Sequence, residues 1–352
     1  MGSKLRFQFP RLENSLLVGI FNREPVPRVP VWMMRQAGRT DPEYCRLRKE
    51  DGRPLEEVFL DAEFSTKISL LPRRLGVDAI IMFQDILTPL APMGAGFKFN
   101  PAPVLHEPII KMEQVRRLKT PKPPKDLKTV GRILQGLNAE LQGSLPVLGF
   151  AGAPMTLAFF MISGKSPSAN IPEILDFMET HPSFTEALLE RLTETTIDYL
   201  LYQIENGAHI VQLFDSFADK IPEPFYLRWV QPSHERILKS LERRAPGILF
   251  SRGCPYIDLL VATGADALSL GDGISISKVR EKYPNFIIQG NIDNKILADG
   301  SPEMISDAIR TCLDETKGSN HILNLSHGLL ERTPFENVLH FIQSAQKLGR
   351  KD

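Results

Sequence analysis

The chain has 352 residues, enough for one large α/β barrel or for two domains of about 150 residues each. Lys plus Arg and Asp plus Glu both number 42, so no net positive field exists to hold a nucleic acid or an anionic membrane, and recognition of a charged ligand has to be local. Hydrophobic residues at 42% and charged residues at 24% exclude a disordered or fibrous chain.

Short apolar, β-branched or aromatic runs bounded by turn residues read as buried strands, and amphipathic stretches between them read as helices. In chain order the predicted strands are Val29–Met34, Asp78–Phe83, Pro146–Phe150, Ile210–Phe214, Gly247–Phe250, Ala265–Leu270, Phe286–Gln289 and His321–Leu325. The helical patterns alternating with them are Ala62–Leu75, Leu127–Leu141, Phe184–Asn206, Glu223–Arg244, Tyr256–Ala262, Ser275–Tyr283, Pro302–Glu315 and Pro334–Lys347. Eight strands alternating with helices predict an α/β protein built as a single (β/α)8 TIM-type barrel over residues 1–352. An open doubly wound sheet is the competing fold. It is disfavoured because no linker divides the chain and no Gly-x-Gly-x-x-Gly opens a first helix. The Pro-rich stretch 87–124 interrupts the alternation, and Gly96–Asn100 with Pro103–Ile110 is expected to form a two-stranded excursion walling the barrel mouth.

Cys45, Cys254 and Cys312 form no Cys-x-x-Cys pair, so neither a disulfide framework nor a zinc knuckle is expected, and a reducing, cytoplasmic compartment fits. Met1–Pro10 contains Lys4 and Arg6 without an apolar core of signal-peptide length. The uncharged stretch Gly143–Gly164 is punctuated by Pro146, Gly149, Gly152 and Pro154, which predicts strand, turn and helix rather than a membrane span.

In a barrel of this kind chemistry lies at the carboxyl ends of the strands. There the sequence places Arg35, Gln36 and Arg39, then Gln84 and Asp85, Asp215 and Ser216, Ser251 and Arg252, Asp272, Asn291 and Asp293, and Asn324, Ser326 and His327, a set expected to share one mouth. Arg35 and Arg39 flank Ala37 and Gly38, a spacing that can aim two guanidinium forks at acidic groups of a ligand. The structural alternative is ion pairing with loop acids such as Glu43. Asp85 leaves an apolar strand. It reads either as an Asx turn before Ile86 and Leu87 or as an acceptor-only anion for ligand N–H groups. His327 reads as a rim residue bonded to backbone or as a ligand contact. In Gly149–Leu157 the glycines either let backbone approach a ligand or only serve the turn. The sequence contains no His-Glu-x-x-His and no nucleophile elbow, and so gives no support to metal hydrolysis or serine acyl transfer.

Pro30–Arg39 with Pro42–Tyr44 resembles the N-terminal signature of the uroporphyrinogen decarboxylase family, and the likeness continues through Phe83–Leu87, Gly149–Leu157, Gln212–Ser216, Gln289–Asp293 and Asn324–Gly328. The resemblance implies a homodimeric barrel that removes the four acetate carboxyls of uroporphyrinogen, giving coproporphyrinogen in haem biosynthesis without metal or coenzyme. It implies Asp85, Arg35 and Arg39 as catalytic residues. It also implies that Arg35, Gln36, Ala37, Gly38, Arg39, Asp85, Phe160, Phe214, Ser216 and His327 hold the substrate. Departures from the family pattern are Phe160 where a Tyr is usual, Gly271-Asp272 for Asp-Trp, Asn294 for Pro and Ser326 for Gly. They leave open a tetrapyrrole-binding paralogue with weak turnover. A corrinoid-dependent methyltransferase of the same superfamily would need soft zinc ligands, which the three separated cysteines do not supply.

Overall fold

The computed structural model describes residues 6–9 and 12–351, so most of the Met1–Pro10 stretch lies outside the described residues. In chain order the strands are β1 (Ile80–Ile81), β2 (Phe97–Phe99), β3 (Pro103–Leu105), β4 (Val147–Gly152), β5 (Ile210–Asp215), β6 (Gly247–Ser251), β7 (Ala267–Leu270), β8 (Ile287–Gln289) and β9 (His321–Ile322). Seven of them form a parallel sheet in the order β1-β4-β5-β6-β7-β8-β9, with helices between successive strands. β4 to β8 are buried except at Phe214 of β5, as expected of strands covered by helices on one face and a filled barrel interior on the other.

The predicted first strand, Val29–Met34, is not a regular ladder. Val31 makes a single parallel bridge to Leu323. Around it Leu323 N donates to Pro30 O (2.9 Å) and Asp78 N to Val31 O (2.8 Å). These bonds place the segment between the two sheet edges, beside β1 and β9, and close the TIM-type barrel. Side chains do much of the fastening there. The buried carboxylate of Asp78 accepts both terminal nitrogens of Arg28 (2.6 Å each) and Val31 N (2.8 Å). Trp32 Nε1 donates to Gln289 Oε1 (3.0 Å), and Gln289 Nε2 donates to Gln212 Oε1 and Ser269 Oγ (2.8 Å each). This polar layer inside the barrel ties the closing segment to β5, β7 and β8 with its members satisfied by one another.

The long helices fall where the apolar periodicity puts them, at Lys128–Leu141, Pro182–Glu205, Pro302–Thr316 and Phe335–Leu348. The predicted Glu223–Arg244 helix is instead divided into Glu223–Phe225, a π-helical turn at Tyr226–Val230 and Gln231–Ser240. Pro232 explains the division, because it has no N–H to continue the ladder and tolerates only a first-turn position. β2 and β3 pair antiparallel, Phe97 with Leu105 and Phe99 with Pro103, which realises the excursion near the mouth. No helix among the described residues is long and apolar enough to cross a membrane.

Candidate active site

The stretch 34–41 leaves the closing segment and turns sharply. Arg35 takes a left-handed backbone conformation, φ 61°, which is uncommon for a residue with a side chain and persists only where the surroundings enforce it. The enforcement is visible on both sides. Gln36 Nε2 donates to Ala79 O (2.9 Å) and Gln36 Oε1 accepts from Met33 N (3.2 Å). Asp41 then caps the helix Pro42–Asp51 by accepting from Glu43 N. Gln36, only 1% exposed, is thus turned into the core and does not reach the cleft. Its neighbour Arg35 is left exposed and pointing outwards.

One open cleft of about 600 Å3 lies at the carboxyl ends of the strands and is lined by Arg35, Ala37, Gly38, Arg39, Asp85, Phe160, Phe214, Ser216 and His327, nine of the ten residues expected at the site. Its size is in the range of small-molecule sites. The hairpin supplies one wall through Phe99, Pro101, Ala102 and Pro103. Phe150, Phe214 and Phe250 form an aromatic floor, with ring centroids 5.7 Å and 5.6 Å from Phe214. The His327 ring stands edge-on to Phe250 at 5.9 Å.

Asp85 makes the Asx turn of its first reading and also borders the cleft. Its Oδ1 accepts from Leu87 N at 2.8 Å, the Asx turn, while the half-buried carboxyl borders the cleft. Burial pushes its pKa above the usual carboxylate range; the Leu87 N–H and the charge of Arg35 oppose that shift. The supporting loop is fixed by Gln84 Nε2 donating to Phe59 O (2.8 Å) and by Ser69 Oγ accepting from Phe83 N (2.8 Å). Arg35 has no ion-pair or side-chain hydrogen-bond partner among the described residues, and its guanidinium packs on backbone. A Cβ built on Gly328 would fall 2.5 Å from Arg35 Cδ, so this approach requires glycine. Asn294 Nδ2 donates to Gly328 O at 2.8 Å, so the side chain standing where the family has Pro holds the loop against which Arg35 rests.

Arg39 does not pair with Glu43. Its Nη1 donates to Glu331 Oε2 at 2.6 Å, both side chains being well exposed, while Glu43 pairs with Arg46. The two arginines therefore sit differently, Arg39 held by an acid at the rim and Arg35 without an ion-pair partner among the described residues. Ser216 is placed by the helix Pro154–Ser163. Thr156 Oγ1 accepts from Ser216 N (2.9 Å) and donates to Asp215 Oδ1 (3.1 Å). Asp215 is wholly buried behind the floor, its pKa pushed up to about 7 by burial, with His234 Nε2 3.6 Å from its other oxygen. Phe160 lies one turn beyond Thr156 and borders the cleft with an edge 8% exposed. Burial, reinforced by Arg35 and Arg252, lowers the His327 pKa to about 4, so its imidazole is neutral at pH 7.

Several strand-end residues are not brought to the cleft. Asn291 Nδ2 donates to Gly271 O (3.0 Å) and Ile274 O (2.8 Å), Asp293 caps the helix Asn294–Asp299, and Asn324 Oδ1 accepts from Met34 N (3.2 Å). The glycines of the 149–157 turn admit protein rather than ligand. A Cβ on Gly149 would meet Gln203 Oε1 at 2.3 Å and one on Gly152 would meet Leu157 Cδ2 at 2.8 Å. Residues that the sequence reading did not select but that line the cleft include Phe217 and Phe250, while Arg252, expected at the mouth but given no role there, also lines it. For Arg252 the signal was its place directly after a strand.

A closed parallel barrel with charged residues of opposite sign over an aromatic floor, at the carboxyl ends of its strands, defines a TIM-barrel protein whose cleft is the candidate active site. The family model described as uroporphyrinogen decarboxylase matches residues 12–348, and the chain belongs to that family of carboxy-lyases. A uroporphyrinogen decarboxylase of Geotalea uraniireducens is 36% identical over 332 residues, which span 93% of this chain and 97% of that protein. One of Prochlorococcus marinus is 37% identical over 343 residues, 95% of this chain and 97% of its own length. Among solved structures, a methyltransferase from Methanosarcina mazei shares the fold with a TM-score of 0.76 at 18% identity, covering 96% of this chain and 99% of that one.

Proposed function

We propose that this chain decarboxylates the four acetate side chains of uroporphyrinogen to methyl groups, yielding coproporphyrinogen, with no coenzyme. The observation that carries the reading is Asp85, an anion with a single backbone donor that borders an aromatic-floored cleft beside the unpaired Arg35. The substrate has four central pyrrole N–H donors and eight peripheral carboxylates. It therefore needs an acceptor at its centre and cations around it. Protonation of a pyrrole ring carbon creates a cationic electron sink. The C–C bond to the acetate carboxylate then breaks, its electron pair flows into the ring and carbon dioxide leaves. The exocyclic carbon takes a proton to become methyl as the ring carbon loses its own. Asp85, fixed in a poorly solvated site, stabilises the cation that exists only along this path, while Arg35, Ser216 and His327 orient the carboxylate arms. A homodimer is the assembly this reading carries, and sedimentation measures it.

The methyltransferase reading receives only the shared fold. Among the described residues no group of three or more His, Cys, Asp or Glu side chains converges as a metal site. Cys254 and Cys312 are buried with pKa values pushed up to about 12, unlike the thiolates that zinc selects. An anaerobic assay with reduced uroporphyrinogen, following product mass, tests the proposal. Successive losses of 44 mass units support it, and unchanged substrate under conditions where tight binding is measured would identify a non-catalytic tetrapyrrole binder.

A further inference from the structure

Two arginines line the cleft with no ion-pair or hydrogen-bond partner for either side chain among the described residues. Arg252 follows β6 directly, is half-buried, and lines the cleft with Arg35 and His327. Its backbone N donates to Asp215 O at 3.1 Å, which fixes where its side chain starts. That side chain has no hydrogen bond and no ion pair among the described residues. The neighbouring acids are otherwise placed. Asp219 pairs with Lys220 at 2.8 Å, and Glu331 holds Arg39. Burial lowers the pKa of Arg35 and of His327, and the charge of Arg252 adds to both shifts, so three donor-bearing side chains line one region of the cleft with no acid bonded to any of them among the described residues. Like charges placed together in a cleft are unfavourable until an anion joins them.

Resting on the decarboxylase reading, we infer that Arg252 is the inner partner of Arg35 in carboxylate binding: the two guanidiniums with His327 form a subsite for one carboxylate arm of the tetrapyrrole, while Arg39 serves the rim. A planar fork on each side can hold both oxygens of one carboxylate, and neutral His327 adds a donor from its protonated ring nitrogen. The arm held there is thereby set near Phe250, whose ring stands 5.9 Å from that of His327.

Fluorescence titration with uroporphyrin, the oxidised planar octacarboxylate, tests the inference on the full chain, with melting temperature measured in parallel. Arg252→Gln should weaken binding about 10- to 100-fold, as expected for charge-assisted hydrogen bonds, with melting unchanged. Arg252→Lys should recover part of the loss, and Arg39→Gln should lose less than Arg252→Gln. Arg252→Gln within twofold of the unmodified protein, or a lowered melting temperature with unchanged affinity, overturns the inference and makes Arg252 a structural partner of Asp219 or Asp272. Failure of the unmodified protein to bind the octacarboxylate is a different result. It removes this subsite, while loss of carbon dioxide from reduced uroporphyrinogen decides the decarboxylase reading separately.

Discussion

The two sides of the barrel mouth use polar residues in opposite ways. After β8, Asn291 and Asp293 are bonded to backbone, tying loops and capping the helix Asn294–Asp299. After the closing segment, β1 and β6, the charged groups Arg35, Asp85 and Arg252 border the cleft, and the side chains of the two arginines have no partner among the described residues. Polarity at a strand end thus does not by itself mark a ligand contact. What separates the two classes is whether the protein already supplies the partner, because a polar group already satisfied gains little from a ligand.

The sharpest test of that contrast is Asp85→Asn, which keeps shape and removes charge. It should reduce kcat by about 10²-fold or more if electrostatic stabilisation is central. The same change should raise the melting temperature by about 1–2 °C, because the raised carboxyl pKa means the folded state is penalised by the ionised form at neutral pH. Activity within threefold of the unmodified enzyme would remove Asp85 from the mechanism.

Gly328→Ala should act next most strongly. The new methyl displaces Arg35 without touching its charge, and kcat/KM should fall about tenfold; Arg35→Lys should fall similarly, since a point charge replaces a fork. If Gly328→Ala is neutral, Arg35 does not need its observed position.

Two histidines, one in the cleft and one away from it, give a pH test. His327, in the cleft, and His321, buried on β9, both have pKa values lowered to about 4, chiefly by burial. Both are depressed below the unfolded value, so their neutral forms stabilise the fold fully above about pH 6.5. That contribution is lost as pH falls towards 4, at up to about 1.4 kcal/mol per pH unit each. Denaturation curves at pH 7, 5.5 and 4.5 measure the slope. Adding the octacarboxylate should raise the NMR titration midpoint of His327 and leave that of His321 in place; equal movement of both would mean the ligand acts through global stability.

On the closed side, Asp293→Ala should cost about 1 kcal/mol of stability through the lost cap and leave kcat/KM intact, the reverse of Asp85→Asn. A tenfold loss of activity would dissolve the distinction between the two sides. The smallest effect is expected from Phe160→Tyr. Phe160 already borders the cleft, so an added hydroxyl should change kcat less than about threefold, read from steady-state rates with the ring otherwise undisturbed.

The strand runs were legible because burial on two faces leaves nearly continuous apolar segments, and the site because its residues follow those runs directly. Gln36 was misplaced for a physical reason: it sits between two cleft residues in sequence, but a left-handed turn at Arg35 sends the two neighbours in opposite directions, and a string of letters does not show a dihedral angle. The glycines at 149 and 152 were ambiguous in the same way, since Gln203 and Leu157, which occupy their space, come from helices whose approach is set by the completed fold. Asn294 is a departure from the family pattern whose purpose emerges only with its bond to Gly328 O.

The stave that carries Arg35 is the one least knitted to its neighbours, with one bridge at Val31 where the others have ladders. Its hold depends on the Arg28–Asp78 clasp and the Trp32–Gln289 contact, so the seam of the barrel and the mouth of the enzyme share the same fastening. Amide exchange at Leu323 and Asp78 should accordingly outpace that along β5, and loosening the clasp should blunt recognition of the ligand well before the molecule melts.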